Sequence, residues 1–375
     1  MKLFEFQVKE IFKQQEIPIP NGILITDISQ LASALKNVGL PCVLKSQVLM
    51  GGRGKAGLVQ LVKTHEEAEQ KAKALFSSPY KVKKILVEQA VDIADEIYLS
   101  VTVDPAQAKA LLMVCAQGGV DIEQVAASSP EKIIREYVDI NLGLQDFQVR
   151  NILLSLNRDA GVDKQIGSII RKIYQIFITY DAELVEINPL FITSAGTVVC
   201  GDGKLLIDDN SSYRHQEFAA NRDYYENENQ YIAAQEGIPY LEFDGDISLM
   251  CAGAGLTTTV YDLVNYEGGT VANYLEFGGP NYKKSVKAME LCLANKSKVI
   301  LIVSFGTIAR ADIIAGGVVE AVQKLKPDRP VICCIRGTNE EQAYQTLSSA
   351  GLECFTDTEE AVKRAVEIAG RRKMS

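Results

Sequence analysis

The chain has 375 residues, of which 47% are hydrophobic and 23% charged, and its formal net charge is −9. That length exceeds one ordinary core and implies two or three domains, and the composition excludes a disordered chain. The acidic balance argues against a binder of nucleic-acid backbones, which carries a basic face, but leaves room for small anions held by a local cluster. No stretch approaches the roughly 18 apolar residues of a membrane span, and the first residues lack a signal-type apolar segment. The eight cysteines, at 42, 115, 200, 251, 292, 333, 334 and 354, form no C-x-x-C pair and read as reduced core thiols. A cytoplasmic protein with no nucleic-acid or membrane partner is expected.

In chain order, Phe4, Val8, Ile11 and Phe12 are spaced as one face of a helix, which Pro18 and Pro20 end. Strand-like runs at 22–26 and 41–47 flank a short helix. They are followed by the loop Gly51-Gly-Arg-Gly-Lys-Ala-Gly57, a strand at 58–62, a helix near 66–76 and strands at 84–88 and 96–103. Between 109 and 209 the alternation is less regular, with helices near 146–156 and 163–179 and strands at 182–193 and 197–208. This mixture predicts an α+β domain over 1–236. The polar run 221–229 reads as a boundary. Beyond it, strands at 247–251, 299–303, 330–334 and near Cys354 alternate with helices at 255–267, 283–295, 310–325, 339–350 and 358–370. That rhythm predicts a doubly wound, Rossmann-like or flavodoxin-like parallel domain over 237–375, so the whole chain is α/β in class.

Four clusters carry chemistry. Lys45 closes a strand ahead of Gly52-Arg-Gly54; a lysine charge and glycine backbone N–H groups suit phosphate, although the loop also fits a plain surface hairpin. Glu88 closes another strand, with Glu96 on the next. Such carboxylates can accept from ribose hydroxyls or an adenine amine, or can be solvated strand ends. The third cluster is Val185-Glu-Ile-Asn-Pro-Leu190, with Asp202 in Gly201-Asp-Gly203. Adjacent antiparallel strands would set Asn188 beside Asp202, two hard oxygen donors suited to Mg2+ on a triphosphate. The fourth is Gly253-Ala-Gly-Leu256, opening a helix with Thr257, Thr258 and Thr259, where free N–H groups and the helix dipole favour an anion.

Together these motifs resemble the ATP-grasp fold, and specifically the beta subunit of succinate–CoA ligase, from Phe4-Glu-Phe-Gln-Val-Lys-Glu10 almost to the C-terminus. The resemblance implies that Lys45, Gly52, Arg53, Gly54, Glu88, Val91 and Glu96 hold ATP or ADP, and that Asn188 and Asp202 hold Mg2+. It implies a subunit of an ADP-forming acid–CoA ligase, αβ or α2β2, whose alpha partner supplies a phosphohistidine and most of the CoA site. In that scheme the nucleotide phosphorylates the histidine, the phosphoryl group passes to a small anionic acid, and CoA sulfur attacks the acyl phosphate. His65 and His215, the two histidines, both read as exposed and away from any anion loop, so this chain itself carries no catalytic residue.

Three departures fall where the acid would lie. Ala252 replaces the asparagine of the family's Asn-Gly-Ala-Gly-Leu. The family's Phe-Gly-Gly-Ile is Phe305-Gly-Thr-Ile308 here, followed by Ala309. Arg336, in Cys334-Ile-Arg-Gly-Thr-Asn339, stands in place of glutamate. The expected substrate residues are therefore Ala252, Gly253, Gly306, Thr307, Ile308, Ala309 and Arg336. The acid is expected to be malate, a sulfonated acid such as sulfoacetate or another short carboxylate, with succinate itself the alternative if the loops have merely drifted. A non-catalytic regulatory subunit and a standalone carboxylate–amine ligase are further readings, opposed by the intact ATP motifs and by the second domain.

Overall fold

The computed structural model describes residues 1–370 except 220, 226, 279–282, 307 and 308, and nothing of the Ala219 side chain. Two compact units result, Met1–Tyr224 and Tyr225–Ser375. Among the described residues no helix is long and apolar enough to cross a membrane.

The first unit begins with α1 (Glu5–Gln14), β1 (Gly22–Ile25), α2 (Leu31–Val38), β2 (Cys42–Ser46), β3 (Val59–Val62), α3 (His65–Phe76) and β4 (Ile85–Gln89). The strands make an antiparallel sheet in the order β1-β4-β2-β3. Alternation sets its two faces. Leu44, Ile85 and Val87 pack with Leu31 and Leu35 of α2 and Ala68, Ala72 and Leu75 of α3, leaving Lys45 and Glu88 on the opposite face. Helix α3 starts where Thr64 accepts from the Glu67 N–H at 3.2 Å.

A second antiparallel sheet uses β5 (Ile93–Asp104), β6 (Lys109–Cys115), β7 (Ile133–Val138), β8 (Ala182–Thr193), β9 (Val198–Cys200) and β10 (Gly203–Ile207) in the order β10-β8-β5-β6-β7, with β9 pairing β8. Helices α4 (Ile122–Ser128), α5 (Asp146–Leu156) and α6 (Ala160–Thr179) lie between β6 and β8 in the chain, and α7 (Gln216–Ala219) follows β10. In α6, Ile166, Ile169, Ile170, Ile173 and Phe177 recur at helical spacing and bury against Ile97, Leu99, Val185 and Ile187. Sequence reading left β6 and β7 unassigned, because strand identity there depends on cross-strand partners rather than on a local pattern.

The second unit contains α8 (Glu228–Gln235), β11 (Tyr240–Glu242), β12 (Ile247–Ala252), α9 (Ala254–Tyr266), β13 (Val271–Leu275), α10 (Ser285–Leu293), β14 (Val299–Gly306), α11 (Ala311–Leu325), β15 (Val331–Gly337), α12 (Glu340–Ser349), β16 (Glu353–Cys354) and α13 (Thr358–Ala369). The unit division falls ahead of α8, whereas the boundary read from the sequence placed α8 with the first domain. Ala233 and Ile238 join the second unit's core, and Asn229 bonds Glu242 at 3.1 Å. Strand order is β11-β13-β12-β14-β15-β16, parallel except for the β11 edge. Apolar runs such as Val299–Val303 are buried on both faces, as a covered parallel sheet requires. One layer includes α10, α11 and α12, the other α9 and α13. The expected doubly wound pattern is present. The chain goes outward from β12 to β13 and then back across to β14, so a topological switch point lies at the carboxyl end of β12.

Candidate active site

In the first unit the phosphate-type residues converge on a buried charge cluster. Lys45 Nζ lies 3.0 Å from Glu5 Oε1, 2.6 Å from Glu88 Oε1 and 2.7 Å from the Gly201 carbonyl. Lys9 pairs with Glu88 and reaches Glu5 at 3.1 Å and the Gly201 carbonyl at 2.9 Å. Arg53 donates from Nη1 to Glu5 at 2.8 Å and from Nη2 to both Asp202 oxygens, at 3.0 and 2.8 Å. Lys9, Lys45 and Arg53 thus balance Glu5, Glu88 and Asp202.

Burial alone would raise the Glu5 carboxyl, but Lys45, Lys9 and Arg53 outweigh it and hold Glu5 well below the usual range. The reverse holds for Lys45, where burial lowers and the Glu5 and Glu88 charges raise more strongly. Burial and the neighbouring Glu5 charge instead push the Asp202 carboxyl up, against the pull of Arg53, Lys45 and Lys9. A buried set of this kind is tolerable only because each member is paired.

Glu5 and Lys9 were missed in the sequence reading, although a signal exists. Glu5, Val8, Lys9 and Phe12 share one helical face, so two charges sit on the buried stripe of α1. Glu88 is 2% exposed and inside the cluster, not at a solvated strand end. A groove of about 580 Å3 between α1, β1 and β4 has Lys9 and Glu88 among its walls, with Phe6, Ile17, Pro20 and Leu86 as apolar lining. Its size and mixed lining suit a nucleoside. Of the expected nucleotide residues, Glu88 alone lines it. Gly52, Arg53 and Gly54 form a self-bonded turn, in which Leu58 N–H donates to the Arg53 carbonyl at 2.9 Å. Val91 lies between β4 and β5, half-buried.

Asn188 and Asp202 are opposed as the strand pairing required. The Asn188 N–H reaches the Asp202 carbonyl at 3.3 Å, and Ile187 pairs with Gly203 in register. The Asn188 side chain is engaged elsewhere, accepting from Gly119 N–H at 2.8 Å and donating to the Val120 carbonyl at 3.1 Å. That loop is pressed onto β5, since a Cβ on Gly118 would lie 2.7 Å from the Ile97 backbone and one on Gly119 would lie 2.4 Å from Glu96 Oε2. Gly119 also has φ +67, so glycine serves both demands. Sequence reading overlooked this loop. Beside it, burial pushes the Glu186 carboxyl up against the pull of Lys204 and of the Tyr98 hydroxyl, which donates to it at 3.1 Å. Asn188, Asp202 and Glu186 present hard oxygens of the kind that, with phosphate oxygens and water, fit Mg2+.

In the second unit Ala252 ends β12 with Gly253 directly after it, Gly306 ends β14 and Arg336 lies near the end of β15, all at the sheet's carboxyl edge. Gly253, at φ +101, caps α9, whose first-turn N–H groups are the open donors of any helix start. Thr257, Thr258 and Thr259 return their hydroxyls to the carbonyls of Gly253, Ala254 and Gly255 at 2.8–2.9 Å, so they serve the helix itself. The edge is knit closely, with Thr338 N–H on the Gly306 carbonyl and Ala311 N–H on the Thr338 carbonyl, both at 2.9 Å. Ala309 is half-buried, and Thr307 and Ile308 lie outside the described residues.

Arg336 is not presented as a free cation. It chelates Glu340 at 2.9 and 3.1 Å and also bonds the Thr356 carbonyl. Those Arg336 bonds and the Gly337 N–H hold the Glu340 carboxyl down at about 2. Next to Ala252, Ser304 is fully buried, and among the described residues its hydroxyl has no hydrogen-bond partner. His215 also departs from expectation: it is 7% exposed, stacks on Tyr180 and lies 2.8 Å from Asp181. His65 is exposed at the start of α3.

Residues 2–192 match the ATP-grasp domain family and residues 250–368 the CoA-ligase family. The chain is 56% identical, over 99% of its length and 100% of the relative's, to the ADP-forming sulfoacetate-CoA ligase subunit SauC of Bilophila wadsworthia. Subunit SqwK of the same named activity, from an Acholeplasma species, is also 56% identical, over 100% of this chain and 93% of the relative. The chain belongs to the ADP-forming acid–CoA ligases. The succinate–CoA ligase beta subunit of Pyrobaculum islandicum is 39% identical over 98% of this chain and 100% of its own. The ATP citrate lyase of Methanothrix soehngenii shares the fold, with a TM-score of 0.73 at 20% identity over 98% of this chain and 99% of that one. This acid–thiol ligase subunit thus combines a nucleotide-binding domain with a CoA-ligase domain.

Proposed function

We propose that this chain is the nucleotide-binding subunit of an ADP-forming ligase that joins sulfoacetate to CoA. The observation carrying the reading is the 56% identity across 99% of the chain to a subunit so named, against 39% for the succinate enzyme. Further support is the departure at Ala252 and Arg336 from the succinate-type motifs, at the carboxyl ends of β12 and β15. Sulfoacetate keeps its sulfonate as a permanent anion while its carboxylate is activated, and a tetrahedral three-oxygen group suits several converging N–H donors.

In this reading the groove over Lys9 and Glu88 receives the nucleoside, and Lys45, Arg53 and the 52–54 turn take the phosphates. Asn188 and Asp202 would hold Mg2+, which when bound neutralises charge on the phosphates during transfer. The α9 N-terminus and the carboxyl edge of β12 and β14 would face the acid. His215 is committed to Asp181 and Tyr180, and His65 sits at the start of α3, so the phosphorylated histidine is assigned to an alpha partner that also carries most of the CoA site. Expected in the cytoplasm, the complex is αβ or α2β2.

The test is ADP release by the chain co-purified with its alpha partner, with sulfoacetate, succinate and malate as acids. Sulfoacetate is expected to lead in kcat/KM by at least about tenfold. A lead for succinate would overturn the assignment of the acid and leave the ligase chemistry standing.

A further inference from the structure

Both side chains expected at the metal already have partners, one in the glycine turn expected at the phosphates and the other in a loop that lies on Glu96. Asp202 is held by Arg53 Nη2 at 3.0 and 2.8 Å, and Arg53 sits in the glycine turn. Asn188 is held through its amide by the Gly119 N–H and the Val120 carbonyl, in the loop that lies on Glu96. A bare divalent cation approaching Asp202 meets the Arg53 guanidinium seated on the carboxylate, with Lys45 and Lys9 in the same cluster. Like charges at such distances repel in a partly dehydrated site.

We propose that Arg53 is a latch on the metal site, closed while its guanidinium sits on Asp202 and opened when phosphate oxygens offer the guanidinium a better anion. Guanidinium recognises phosphate in the same two-donor geometry that it uses for carboxylate, so transfer leaves it paired throughout. Asp202 is then released at the moment its cation arrives with the phosphates, and the Asn188 amide is released as the 118–120 loop responds to a ligand beside Glu96. Glu5 is the pivot. It bonds Arg53 Nη1 at 2.8 Å, so Nη2 can leave Asp202 while the side chain stays anchored. Metal and nucleotide affinity become reciprocally coupled, each raising the other by the same factor. The latch rests on the reading of Asn188 and Asp202 as metal ligands, and the experiment separates the two ideas.

The probe is Mn2+ alone, titrated into the full chain in its complex with the partner and followed through the spin-resonance signal of the free ion. Wild type is expected to bind Mn2+ at this site only weakly without nucleotide. Arg53→Lys, which keeps the charge opposite Glu5 but loses the fork, and Arg53→Leu are expected to tighten Mn2+ at least about tenfold. Thermal unfolding checks that each variant is folded, and Arg53→Lys carries the test if Arg53→Leu is not. No tightening in either folded variant overturns the latch. Asp202→Asn decides the ligand assignment: unchanged Mn2+ binding in the presence of ADP would remove Asp202 from the metal site, and the latch with it. Loss of that binding, together with tightening in the Arg53 variants, supports both.

Discussion

Arg53 and Asp202, 149 residues apart in the chain, meet through one guanidinium nitrogen set 3.0 and 2.8 Å from the two carboxylate oxygens. The contact joins the glycine turn of one sheet to the β9–β10 connection of the other, so the two layers of the first unit share one electrostatic site.

Replacing Asp202 by asparagine keeps the shape and removes the charge. Nucleotide-dependent ADP formation by the assembled complex is expected to fall at least about 100-fold, while the complex elutes at its normal size. Unchanged turnover would show that Asp202 is not part of the phosphate chemistry.

Glu5→Gln removes the anion between Lys45 and Arg53, leaving buried cations short of a partner. A loss of about 3 kcal/mol is expected at pH 7 by chemical denaturation. The folded-state pKa of Glu5 is depressed, so its contribution is fully present above the unfolded value and is lost as pH falls toward the folded one. The gap between wild type and Glu5→Gln should therefore be constant above about pH 5 and narrow below about pH 4. A gap that does not change with pH would mean that Glu5 acts by packing alone.

Gly118→Ala places a Cβ 2.7 Å from the Ile97 backbone, which has no flexible end to give way. Displacement of the 118–120 loop is expected to weaken ADP binding about tenfold or more, read by calorimetry, because the loop seats both Glu96 and Asn188. Normal ADP affinity in the variant would detach the loop from the nucleotide site.

Arg336→Ala breaks the chelate that ties the end of β15 to Glu340 and Thr356. The KM for the acid is expected to rise about tenfold with the KM for ATP unchanged, since the disturbed Gly337–Thr338 turn is bonded to Gly306, an expected acid residue. An equal rise in both would mean general loosening of the fold.

Removing the unpartnered hydroxyl of Ser304 by Ser304→Ala is expected to stabilise the apo chain by up to about 1 kcal/mol, seen as a higher Tm. A lower Tm would show that the hydroxyl is satisfied in solution.

The sequence by itself determined the local matters: the doubly wound rhythm of the second unit, the glycine turn after Lys45, the opposition of Asn188 and Asp202, and the motifs that mark the family. Each rests on a pattern within a few residues or on one hairpin pairing. Tertiary structure alone decided which charges meet. Glu5 and Lys9 read as ordinary helix residues until they meet Lys45 of β2 and Glu88 of β4, and Glu88 reads as a strand end until those charges bury it. Arg336 reads as an available cation until α12 brings Glu340 beneath it, and His215 reads as exposed until Tyr180 and Asp181 enclose it. Most of these pairings depend on partners far away in the chain; Arg336 and Glu340, four residues apart, are a local pair, and for Glu5 and Lys9 only their place on the apolar stripe of α1 hints at burial.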